Sequence, residues 1–209
     1  MDVLYFLRKR TRFIREFYDE SARSFLERKR LIEAGEEPFA APAAYEDDEP
    51  PFLDEWAQAD EALDVLGQLC ISLLAASLKL YLRRWVIQHD LTPPVETKGV
   101  FRKKGWLNGY RQWFVEQGID WANGPTTLPL LEELALTRNR VEHPEDIWTF
   151  RVTQSEHDAA KYPHSYFADD PPVRLGSDPS KPARIHVTRE TLMEATAQVE
   201  AFCAWLDEQ

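Results

Sequence analysis

Apolar residues recur at mixed three- and four-residue spacing from the start of the chain, at Val3, Leu4, Phe6, Leu7, Phe13, Ile14, Phe17, Phe25 and Leu26, before Gly35. That spacing keeps returning to one side of a helix and predicts a single long helix over residues 2–34, with Gly35 as its stop. A second long helix is expected over residues 53–89. Its middle is apolar on nearly every side, as in a helix surrounded by others, and the Pro93-Pro94 pair ends it. A third is expected over 101–117, before Gly118 and the turn Asn123-Gly124-Pro125. A fourth starts near Thr127, takes Pro129 in its first turn and carries Leu130, Leu131, Leu134, Leu136 and Val141. The last ends in Phe202-Cys203-Ala204-Trp205-Leu206. A capping box is read at Thr191-Leu192-Met193-Glu194 and a short extended piece at 184–188.

Two stretches lack this periodicity. Residues 36–52 hold Pro38, Pro42, Pro50, Pro51 and the acidic run from Glu46 to Glu49, and read as a linker. Residues 144–184 hold Pro163, Pro171, Pro172, Pro179 and Pro182 with no sustained helical period; a loop of that length is expected to be functional or partly disordered. The expected architecture is therefore all-α: one domain over residues 1–209, a bundle of about five helices with a long irregular segment before the last.

Composition supports a packed core, with 44% apolar and 12% aromatic residues in 209. Cys70 and Cys203 each sit in an apolar helical stretch, which argues against a disulfide framework or zinc site and predicts buried free thiols. The opening segment mixes Asp2 and several basic residues with apolar ones, and lacks the continuous apolar core of a secretory signal. The apolar stretch 66–82 is interrupted by Gln68 and Lys79, which favours a core helix over a membrane span. A soluble, cytoplasmic protein without a membrane partner is the expectation.

The net charge of -11 opposes nucleic-acid binding if taken as a total. Its distribution changes that picture. Between Glu33 and Lys79 there are eleven acidic residues and no lysine or arginine, so the remainder balances at 25 acidic against 25 basic. The first helix carries nine basic residues against six acidic ones. A second cluster, Lys98, Arg102, Lys103, Lys104 and Arg111, has no acid between Glu96 and Glu116. Each cluster reads either as a surface that tracks phosphates or as a solvated helix face. The aromatic set Trp106, Tyr110 and Trp113 beside it reads as a buried helix face, with a base-stacking platform as the alternative.

The candidate chemistry lies at the end of the fourth helix, in Arg138-Asn139-Arg140-Val141-Glu142-His143, followed at once by Pro144. A fixed cation and a titratable base near one phosphate suit phosphodiester chemistry. At about 100° per residue, Asn139 and His143 share a helix face, whereas Arg138 and His143 diverge by roughly 140°. Pro144 disfavours helical geometry at His143 and so frees the imidazole from its ideal position. Two copies meeting across a two-fold axis would bring both sets together.

Arg-Asn-x-x-x-His at the end of a late helix, then an irregular stretch, then Ile185-His186-Val187-Thr188 and an amphipathic terminal helix, resembles the HEPN superfamily of all-helical domains found in prokaryotic ribonuclease toxins and defence effectors. The resemblance implies a homodimer through the motif helix with one composite active site. Arg138, Asn139 and His143 would be catalytic, and cleavage of RNA by 2'-hydroxyl attack would need no metal or other cofactor. We place Arg140, Lys103, Lys104 and Arg111 on the substrate, with mRNA or tRNA as partner and a cognate antitoxin possible. Some members carry a tyrosine two residues after the histidine, which a partner nucleotidyltransferase modifies. Here that position is Glu145, so neutralisation by that route is not expected. The sequence shows no metal-ligand spacing.

Three further readings stay open. A plain helix end would pair Arg138 with Glu142, leave Arg140 solvated and use His143 only as a stop. The domain would then be a catalytically silent module binding a nucleotide, RNA or protein partner, or a toxin-neutralising protein. His157 and His164, with Tyr162 and Tyr166, are candidates for a lid over the cleft, and His89 and His186 carry no assignment.

Overall fold

The computed structural model describes residues 2–40, 50–144, 147–168 and 183–209. The acidic run from Glu46 to Glu49, Glu145 and the prolines at 171, 172, 179 and 182 lie outside the described residues. The fold is all-α. Its helices are α1 (Val3–Ala34), α2 (Leu53–Gln88), α3 (Gly99–Glu116), α4 (Leu128–Glu142), α5 (Glu156–Lys161) and α6 (Arg189–Asp207), with one 3-10 turn at Trp121–Asn123. The short α5 falls inside the stretch expected to be irregular. Ser155 caps it by accepting from the Asp158 amide at 3.1 Å.

Local chemistry sets the helix ends. Asp2 accepts from the Tyr5 amide at 2.7 Å and opens α1; Gly35, at φ 63°, closes it in the left-handed conformation that glycine adopts without strain. The α6 cap lies three residues before the expected box. Thr188 accepts from the Thr191 amide at 3.2 Å, because the extended segment delivers a hydroxyl there first. Helix α3 is broken at Gly105, whose φ of 82° no helix accommodates.

Helices α1 and α2 form an antiparallel hairpin. Arg10 donates to Ser77 at 2.9 Å near one end, and Lys29 pairs with Asp60 at 2.7 Å near the other. Helix α6 lies antiparallel to α1, with Arg15 on Glu200 at 2.9 Å and Arg189 on Asp19 at 2.7 Å. Helix α2 is the central element, buried by its neighbours along most of its length. It is long and apolar enough to cross a membrane, yet 61% of its most apolar window is buried within the bundle. Trp85, Phe114, Trp121 and Phe202 form a chain of aromatic contacts that joins α2, α3, the 3-10 turn and α6. Cys70 and Cys203 are buried free thiols, and burial pushes Cys70 up to about 12.

The apolar set read along α1 splits in two. Leu7 and Ile14 are buried, joined by Tyr18 and Ala22 from outside that set, whereas Phe6, Phe13, Phe17 and Leu26 are exposed. Mixed spacing therefore marks two stripes on this helix, only one of which packs against the bundle.

Candidate functional site at the end of α4

Helix α4 is held by Leu130, Leu131, Leu134, Ala135 and Thr137 on its buried side. Its last turn emerges toward solvent. His143 leaves the helix at φ −127° and ψ 65°, as expected of a residue before proline. Its ring is exposed and makes no hydrogen bond to a described residue. Asn139 is exposed one turn earlier. Arg138 is engaged locally, meeting Glu142 at 2.5 Å and donating to the Asn139 side chain at 3.2 Å. The Arg138–Glu142 pair of a plain helix end is thus present. Arg140 departs from that picture, because it donates to the Thr153 carbonyl at 3.1 Å and ties the motif to the chain that follows.

The other sequence candidates are dispersed. Lys103 and Lys104 precede the break at Gly105 and Arg111 follows it; all three are exposed. Their helix meets α4 where Asn108 donates to Glu132 at 3.0 Å. That contact lies about three turns before His143. Tyr110 is buried and donates to Glu96 at 2.8 Å, and Trp106 and Trp113 pack against the core.

The segment proposed as a lid is fastened to the middle of α4. Lys161 meets Glu132 at 2.8 Å, and the Tyr162 hydroxyl also donates to Glu132. Burial would raise Glu132, but these partners and Asn108 outweigh it and hold the carboxyl below its ordinary value. Glu133 accepts from the Ser165 hydroxyl at 2.5 Å and from the Tyr166 amide at 2.9 Å. It is only 3% exposed, and burial holds its carboxyl above the ordinary value. His157 and His164 are exposed and take no part in this anchoring.

Sequence reasoning missed Glu133 and a second cluster. Glu133 sits three residues after Leu130 on the buried stripe, and a carboxylate at an apolar position is the available signal for tertiary partners. The second cluster centres on Asp64, 2% exposed on α2. It pairs with Arg184 and accepts from or shares a proton with His186 Nδ1 at 2.7 Å, while Arg184 also reaches Asp60 at 3.4 Å. The adjacent Val187 lies directly against Gly67, where an added Cβ would come within 2.6 Å of the Val187 carbonyl oxygen. No local pattern announces these contacts.

Among the described residues, no group of three or more His, Cys, Asp or Glu side chains is placed to hold a metal ion. Comparison with known protein families, curated proteins and solved structures finds no match.

Proposed function

We propose that this chain is a metal-independent endoribonuclease of HEPN type, a toxin or host-defence effector that acts as a homodimer through the end of α4. The observation that carries this reading is the exposed His143 ring, turned off the helix one turn beyond Asn139 and Arg138. An exposed imidazole is suited to proton transfer near neutrality. In the reaction the 2'-oxygen bonds to phosphorus as its proton passes to one His143. The bond to the 5'-oxygen breaks as that oxygen takes a proton from the second imidazole across the two-fold axis. Arg138 neutralises the developing phosphoryl charge after exchanging Glu142 for the phosphate, and Asn139 orients it. Ile147 and Trp148, each 89% exposed just beyond the motif, supply apolar surface for pairing that α4 itself lacks.

The Arg138–Glu142 pair supports a second reading, a catalytically silent module that binds a nucleotide, RNA or protein partner. Incubation with total RNA and tRNA in excess EDTA separates the two. The nuclease leaves 2',3'-cyclic phosphate and 5'-hydroxyl ends, lost in His143→Ala and Arg138→Ala; intact RNA from folded protein sinks it. DNA lacks the attacking hydroxyl and should resist cleavage.

A further inference from the structure

The outer face of the α1–α2 hairpin combines two features. Phe6, Phe13 and Phe17 on α1 are 47%, 59% and 37% exposed, and Leu69, Leu73 and Leu80 on α2 are 49%, 37% and 46% exposed. Phe6, Phe13 and Leu73 line a groove of about 460 Å³ beside Lys9 and Arg10. A groove of about 400 Å³ lies beside Leu69, Val65 and Phe150, with Gln58 and Glu61 at its edge. Leu69 and Leu73 are one turn apart on the same side of α2 and connect the two grooves.

The second feature is charge polarity. Because the helices are antiparallel, residues 3–18 of α1 and 71–88 of α2 share one half of the hairpin, and beside the stripe that half shows Lys9, Arg10, Arg83 and Arg84. Residues 19–34 and 53–70 share the other half, where Glu20, Glu27 and Glu61 border the stripe against Arg28, while Asp19, Asp60 and Asp64 are turned to partners in the bundle. Turned about a two-fold axis through the hairpin's midpoint, near Phe17 and Leu69, a copy lays its basic half on the acidic half of another. Lys9 on α1 and Glu61 on α2 lie at nearly equal distances on opposite sides of that midpoint, so the copy's Lys9 comes to the level of Phe25, which shares its groove with Glu61.

We propose that this face is a self-association surface that takes a second copy of the chain in antiparallel orientation. The apolar stripe is its centre, and the opposed charges fix the direction of pairing. RNA would satisfy only the basic half and leave the Leu69 groove and the acidic half uncovered. The surface is separate from the end of α4 and does not rest on the ribonuclease reading.

Light scattering and sedimentation of the full chain at tens of micromolar test it. Lys9→Glu and Glu61→Lys, each introducing two like-charge contacts per pair of copies, should weaken association by about tenfold or more. The double reversal Lys9→Glu with Glu61→Lys should restore it. Leu69→Asp, a change at a half-exposed position, should halve the observed mass without altering the circular dichroism spectrum. A wild-type chain of single-copy mass, or single reversals that leave the mass unchanged, overturns the proposal. So does a double reversal that associates no better than its parents. Loss of RNA binding in Lys9→Glu at unchanged mass would assign the basic half to nucleic acid instead.

Discussion

The polar cluster at the end of α4 and the one centred on Asp64 are built in opposite ways. At the first, Arg138 meets, among the described residues, Asn139 and Glu142, neighbours within four residues, and His143 is exposed to solvent. At the second, a nearly buried carboxylate on α2 gathers His186, 122 residues away, and the nearby Arg184. A local pair can open while the fold stays intact. A long-range buried pair holds two distant segments together, and opening it exposes a charge without a partner. The first cluster can therefore exchange protein partners for a ligand without loosening the fold.

The largest effects should come from breaking the second. Asp64→Ala removes the carboxylate that Arg184 and His186 share, while Arg184 keeps Asp60, and is expected to cost about 1–3 kcal/mol in urea unfolding. Gly67→Ala attacks the same junction from the backbone side. Its Cβ would meet the Val187 Cβ at 2.8 Å, so the extended segment must lift from α2, at an expected cost of about 1–3 kcal/mol. If both variants unfold like the wild type, the cluster is not what anchors residues 184–188.

Glu133 lies between the two extremes, buried yet on the motif helix itself. Glu133→Ala removes the acceptor for the Tyr166 amide and should cost about 1–3 kcal/mol. Glu133→Gln keeps an acceptor and removes the charge. Burial places the carboxyl above its ordinary value of 4.5, so its ionised form is the penalised one. Its contribution to stability is fully present below the unfolded value and is lost as pH rises through the folded value. The glutamine variant should therefore gain on the wild type between mild acid and neutrality. Unfolding curves at both ends of that range check the sign; a gain that grows toward acid would contradict it.

What the sequence made legible follows the same division. Helices α1, α2 and α4 were readable because periodicity, Gly35 and Pro129 act within one or two turns, as was the departure of His143 before Pro144. The α6 start was misplaced because Thr188 and Thr191 both offer capping hydroxyls, and only the path of the extended segment chooses between them. The outward set Phe6, Phe13 and Phe17 has the same spacing as the inward set, so periodicity alone could not separate a core stripe from an exposed one. Asp64, Arg184 and His186 are far apart in sequence, and no spacing rule links them.

The smallest expected change in stability is the most informative about the first cluster. Glu142→Gln removes a half-exposed i,i+4 pair, a loss of about 0.3–0.5 kcal/mol. Thermal melting should therefore barely shift. The guanidinium of Arg138, however, loses its competing carboxylate, and a phosphate no longer has to displace one. If Arg138 serves the ribonuclease reaction, RNA cleavage by Glu142→Gln should equal or exceed that of the wild type, while His143→Ala, equally stable, should be inactive. If the Arg138–Glu142 pair is instead the arginine's whole role, Glu142→Gln and Arg138→Ala should share the same slight loss of stability and have no effect on RNA. A stability change too small to matter thus isolates the question of what the exposed end of α4 is for.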